Sequence, residues 1–98
     1  MKLYAIRRPM GWKTPEDLAE AAAESARVGD TEMSSDIRWI RSYVLIEADG
    51  TLGTVCIYEA SSPEKIREHA ERAGLPATDI WEVADTVVVR QDPVAAAA

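Results

Sequence analysis

The chain has 98 residues, with 11 basic and 17 acidic side chains and a formal net charge of −6. Hydrophobic residues make up 47% and charged residues 29%, a globular composition that excludes a disordered chain. The acidic balance, with a sequence pI of about 4.7, excludes a surface built for nucleic acid or an anionic membrane, because both need clustered Lys and Arg.

Lys2 to Arg8 is a short, largely apolar, β-compatible run that Pro9 and Gly11 should end. Thr14-Pro15-Glu16-Asp17 supplies a helix start: a capping hydroxyl, a proline at the first helical position and acids in the first turn. Leu18, Ala21, Ala22, Ser25 and Val28 recur at helical spacing, and Gly29 should stop the helix. A polar loop follows. Ile37 to Glu47 and Thr51 to Ala60 are rich in β-branched and aromatic residues, and the Asp49-Gly50 between them signals a hairpin. Ser62-Pro63-Glu64-Lys65 repeats the helix-start chemistry, Ile66, His69, Ala70 and Ala73 form an apolar stripe, and Gly74 with Pro76 ends the second helix. Ile80 to Arg90, with its valine run, reads as a last strand. The β-α-β-β-α-β order predicts a ferredoxin-like α+β fold: a four-stranded antiparallel sheet with two helices on one face. One domain over residues 1–90 with a flexible Ala-rich tail over 91–98 fits the length.

With Asp49 and Gly50 as a two-residue turn, Val44 opposes Val55, Tyr43 opposes Cys56 and Arg41 opposes Tyr58. One face of the hairpin then carries Ile40, Val44, Ile46, Val55 and Ile57, suited to lie beneath the helices. The other carries Trp39, Arg41, Tyr43, Cys56 and Tyr58. Helices on one side leave the second face uncovered, and three large aromatics there predict a homodimer stacked sheet on sheet, enclosing a pocket. A solvated amphipathic face is the plainer alternative.

His69 is the only histidine and the only side chain that titrates near neutrality unaided. Its default role is a structural core histidine bonded to backbone; the functional reading is a metal ligand or acid–base group. Cys56 is by default a small core hydrophobe, and a reactive thiolate needs a nearby cation. One Cys and one His cannot close a structural zinc site. A looser site of one imidazole, carboxylates and waters suits nickel or another divalent ion, with Glu59, Asp36 and Glu68 as candidate carboxylates. Trp39, Arg41, Tyr43, Cys56 and Tyr58 would wall a small-molecule pocket, and equally a dimer interface. Five dispersed glycines give no phosphate loop, and no strand-Ser-helix elbow supports a hydrolase triad.

The single cysteine makes the reducing cytoplasm the expected compartment. No apolar run approaches the ~20 residues that span a bilayer, and no leader-like segment precedes the first strand. The lack of Phe and Asn, three Lys against eight Arg, and sixteen Ala match GC-rich coding, so a bacterial source is expected.

Ile37-Arg38-Trp39-Ile40-Arg41-Ser42-Tyr43, Cys56-Ile57-Tyr58-Glu59-Ala60 and the helix from Ser62-Pro63-Glu64 to Gly74-Leu75-Pro76 resemble a family of small, largely uncharacterised bacterial proteins, some described as nickel-binding. The likeness runs from the first strand through Ile80-Trp81-Glu82-Val83. It implies a ferredoxin-like fold, homodimerisation and divalent-metal binding, and it transfers no metal ligand onto a numbered position. The expectation is a homodimer that binds a small ligand, first of all a divalent metal such as nickel with His69 and Glu59 as ligands, and is not an enzyme. The alternative is a cofactor-light dimeric enzyme or binding protein of the α/β-barrel type, acting on aromatic compounds in the sheet-face pocket. A third reading, a regulatory or assembly module, predicts a protein partner instead.

Overall fold

Thr14 and Ser62 each accept a hydrogen bond from the backbone N–H three residues on, at 3.1 and 3.3 Å. Pro15 and Pro63 then open the two helices, α1 (Pro15–Arg27) and α2 (Pro63–Ala73). The structure, a computed structural model, describes residues 1–93. The strands are β1 (Lys2–Trp12), β2 (Ile37–Ile46), β3 (Leu52–Ala60) and β4 (Asp79–Glu82). They pair antiparallel throughout in the order β2-β3-β1-β4, the expected ferredoxin-like arrangement. Tyr4 and Ile6 of β1, Cys56 and Tyr58 of β3, and Ile66 and Ala73 of α2 share one buried cluster. Ser25 of α1 hydrogen-bonds Tyr58 on that same side, so both helices cover one face of the sheet.

Gly29 does not stop α1. The chain widens into a π-helical turn, Val28–Glu32, in which the Met33 N–H reaches the Val28 carbonyl at 3.0 Å. Gly29 is buried, and a Cβ there would meet Ile37 Cγ2 at 3.3 Å and His69 Nε2 at 3.7 Å. Its lack of a side chain serves close packing rather than termination.

The hairpin loop has three residues, Ala48-Asp49-Gly50. The Gly50 N–H donates to Glu47 O at 3.0 Å, the Glu47 N–H donates to Thr51 O at 2.9 Å, and Gly50 takes the left-handed position at φ +87°. The Asp49 carboxylate accepts from the Thr51 N–H and hydroxyl at 2.9 and 2.6 Å. One more loop residue than the two-residue turn shifts every partner by one: Val44 faces Thr54, Tyr43 faces Val55 and Ser42 faces Cys56. Strand β3 is thereby turned over relative to the expected register. Thr54, Cys56, Tyr58 and Ala60 are buried beneath the helices, while Val55 and Ile57 lie half-buried on the open face. A second irregularity falls between Trp39 and Arg41, where Ile40 is left out of the pairing; Trp39 then faces Tyr58 and Ile37 faces Ala60. The expected aliphatic face beneath the helices therefore does not form, and Ile40, Val44 and Ile46 are exposed.

Strand β1 runs through Pro9 and Gly11 to Trp12, with an irregularity between Arg8 and Trp12 and Met10 at φ +49°. Strand β4 is shorter than the expected 80–90 run. Tyr4 pairs with Glu82 and the Leu3 carbonyl accepts from the Val83 N–H at 2.9 Å, so β4 reaches the start of β1 and has no further partner residues. The valine run beyond it is no strand; Val87, Val88 and Val89 are exposed. Of the tail expected over 91–98, residues 94–98 lie outside the described residues. Among the described residues no helix is long and apolar enough to cross a membrane.

Candidate functional site

The inward side chains of β1 follow a two-residue period: Tyr4, Ile6 and then Arg8, all buried. Arg8 stands where an apolar residue would continue the core. The bulge at Ile40 brings Trp39 to the same side, where its ring stacks on Tyr58 at 6.0 Å between centroids and 6° between planes. Helix α1 presents a face of small residues, and Ser25 is the only one of its side chains that is buried. Short side chains do not close the gap between this helix and the sheet.

The result is a cavity of about 530 Å³ between α1 and the sheet, open beside the edge strand β2. Trp39 and Tyr58 of the sheet face Leu18, Ala22 and Ser25 of α1 across it, and Trp12 and Leu75 add apolar wall. No Asp, Glu, Lys or His contributes to the lining. The two basic residues that do are Arg8 and Arg41, and the Arg41 guanidinium is paired with Asp92 at 3.1 Å.

Behind the aromatic wall lies a buried polar chain. Ser25 Oγ and Tyr58 Oη share a hydrogen bond of 2.8 Å. His69 Nε2 lies 3.0 Å from the Ser25 carbonyl oxygen, which can only accept, so Nε2 carries the proton. The imidazole also leans on the Tyr58 ring, with centroids 5.3 Å apart. Burial pushes the His69 pKa below its ordinary value, opposed by the bond to Ser25 and reinforced by the Arg8 charge. Burial likewise pushes the Tyr58 phenol up, against the bond from Ser25 and the nearby Arg8. Both groups are held neutral. Cys56 is buried, and its thiol donates to Thr54 Oγ1 at 3.3 Å.

The residues expected to wall a pocket thus divide. Trp39, Arg41, Cys56 and Tyr58 do line one cavity, but on the helix side of the sheet and not on the open face. The polar ends of Arg41 and Tyr43 keep the open face; Tyr43 Oη donates to Asp92 at 2.8 Å. His69 and Glu59, the expected metal pair, lie on opposite sides of the sheet. His69 is buried behind Tyr58, whereas Glu59 alternates to the open face and sits 3.8 Å from Arg38. They are not brought together within one chain. Arg8, Trp12, Ser25 and Thr54 belong to the cavity and were not expected there. For Arg8 the signal was present, since Tyr4-Ile6-Arg8 is an inward period with a cation at its end.

Two matches place this arrangement among known proteins. The family profile described as Nickel responsive protein SCO4226-like matches residues 4–83. The chain belongs to the SCO4226-like family. A solved member, the crystal structure of SCO4226 from Streptomyces coelicolor A3(2), superimposes with a TM-score of 0.68 at 23% identity, covering 87% of this chain and 99% of that one. At that identity the likeness speaks for the fold. No curated protein matches the sequence. The SCO4226-like family carries nickel in its description, and the donor set of this member bears on whether it can hold that metal. Among the described residues no group of three or more His, Cys, Asp or Glu is placed to hold an ion. The one imidazole uses Nε2 on a backbone carbonyl and buries Nδ1 in the core, and the one thiol is bonded to Thr54. These residues do not fit a resident metal within a single chain.

Proposed function

We propose that this protein binds a small, mainly apolar organic molecule in the cavity between α1 and the sheet, as a binding protein rather than an enzyme. The observation that carries this reading is the cavity itself: about 530 Å³, walled by Trp39, Tyr58, Leu18 and Ala22, within the ~300–1,000 Å³ typical of ligand sites. The lining includes Ser25, Cys56 and Tyr58, but no imidazole or carboxylate to take a proton from any of them, which favours binding over catalysis. Nickel enters through the family description alone, and the donor set supports the organic ligand better.

A thermal-shift screen of aromatic and aliphatic compounds, with nickel chloride as a separate arm, tests this. A ligand at about 100 times its Kd stabilises by ~2.7 kcal/mol, which in a domain of this size raises Tm by roughly ten degrees or more. The expected result is a shift with some organic compounds and none with nickel. Shifts with nickel alone would overturn the reading.

The open face supports a second element, self-association. It carries Leu3, Ala5, Val55, Ile57 and an exposed Trp81, an apolar patch opposite the helices that suits a second copy of the chain. Two copies joined there would keep both cavities facing outward.

A further inference from the structure

Arg8 is 1% exposed, and its guanidinium is a permanent charge. Buried charges are ordinarily paired, because removing an ion from water costs several kcal/mol unless a counter-charge or a full set of hydrogen bonds replaces the solvent. Arg8 has neither in full. One guanidinium nitrogen donates to the Pro76 carbonyl, and the Arg8 Cζ stands 5.9 Å from the centre of the Tyr58 ring. The other terminal nitrogen, Nη2, is buried and has no hydrogen-bond partner. The chain has 17 acidic residues against 11 basic ones, yet none of the acids lines the cavity that Arg8 borders.

We propose that the ligand of this cavity is a carboxylic acid with an aromatic or apolar body, its carboxylate held by Arg8. This rests on the cavity being a binding site and adds the chemical class of what it binds. Guanidinium offers a planar fork of N–H donors that fits a carboxylate, and in a lining without other free charges the pair is weakly screened. The apolar wall selects against a free inorganic anion. Trp39 and Tyr58 offer parallel rings, Leu18 and Ala22 a short aliphatic opposite side, so the body of the acid is accommodated where its charge is neutralised. Tyr58 and His69 are both neutral, which leaves Arg8 as the charge that recognises the ligand.

The test compares two probes of nearly equal shape, naphthalene-2-carboxylate and 2-naphthylmethanol, by calorimetric titration of the full chain, with the fluorescence of Trp12 and Trp39 as a second readout. The carboxylate is expected to bind at least tenfold more tightly than the alcohol. Arg8→Met is expected to bring the acid down to the affinity of the alcohol and leave the alcohol unchanged. Because that substitution removes an incompletely compensated charge, Tm of the free variant should hold or rise, whereas a purely structural arginine would lower it. Arg8→Lys, which keeps the charge and loses the fork, is expected to fall between. Equal binding of acid and alcohol by the unmodified chain overturns the role of Arg8 and leaves the cavity reading intact. Binding of neither probe overturns both.

Discussion

His69 donates its Nε2 proton to the Ser25 carbonyl and packs on Tyr58, while Nδ1 is buried without a partner. The groups that face it are the Ser25 carbonyl from α1, the Tyr58 ring from β3 and, further off, the Arg8 charge from β1. None is a carboxylate that would welcome a second proton. Burial first, and Arg8 with it, therefore lowers the folded-state pKa beneath the ordinary 6.5. Below 6.5 the unfolded chain binds a proton that the folded chain refuses, so unfolding is favoured as the pH drops. Stability from this residue is complete above about pH 6.5 and is lost as the pH falls toward the folded-state value. Tm measured from pH 7.5 to 5 should decline on the acid side, above the range where carboxylates titrate. His69→Gln, which can still donate to Ser25, should be nearly flat across that window. Matching slopes in the two proteins would show that His69 is not the group responsible. The same geometry explains why the only histidine is a poor metal ligand: its free nitrogen faces protein, not solvent.

The two helices begin with the same chemistry but hold the sheet differently. Helix α2 buries Ile66, His69, Ala70 and Ala73, whereas α1 buries only Ser25 and spans the cavity with alanines. Local opening tracks buried apolar contact, so α1 should unprotect first. Amide hydrogen exchange is expected to be about tenfold or more faster in the middle of α1 than of α2, equivalent to roughly 1.4 kcal/mol in opening free energy, and a carboxylate or other ligand in the cavity should narrow the gap. Similar protection in the two helices of the free protein would contradict a loosely seated α1. What the residues made legible at this scale is the element list, since caps, prolines and the Asp-Gly turn act over three or four positions. What they left open is which way each strand faces. Asp49-Gly50 satisfies a two-residue turn and a three-residue loop alike, and the difference of one residue inverts β3 and carries Cys56 and Tyr58 beneath the helices. The omission of Ile40 from pairing has no local signature either, because Trp39-Ile40-Arg41 is uniformly strand-like. Arg8 hid behind the expectation that inward positions are apolar. The strand predicted over Ile80–Arg90 stops at Glu82 for a non-local reason, the end of β1 beside it.

Across the whole molecule, the sheet separates two surfaces with different chemistry. The helix side holds the cavity and its arginine; the open side holds Val55, Ile57 and Trp81, bordered by the ion pair Arg7–Glu47 at 2.6 Å. Beyond β4 the chain returns to this open side, where Asp92 meets Arg41 and Tyr43. Trp81, on the edge strand β4, is 53% exposed there, and an aromatic of that size flanking an apolar patch is the natural anchor of a contact between copies. Each copy carries a net charge of −6, so association works against mutual repulsion. Repulsion between exposed charges is screened within about 10 Å at 0.1 M salt and about 3 Å at 1 M. Light scattering at micromolar concentration is therefore expected to show a dimer, with a dissociation constant that tightens as sodium chloride is raised, the opposite of an interface held by ion pairs. Trp81→Glu adds a charge to the patch and should give a 10.7 kDa monomer at every salt concentration. Because Trp81 lies across the sheet from the cavity, that monomer should bind naphthalene-2-carboxylate with the affinity of the unmodified chain. A variant that loses the dimer and the ligand together would show that the two surfaces are one site; a parent chain that is monomeric at all salt concentrations would leave the open face without a partner of its own kind.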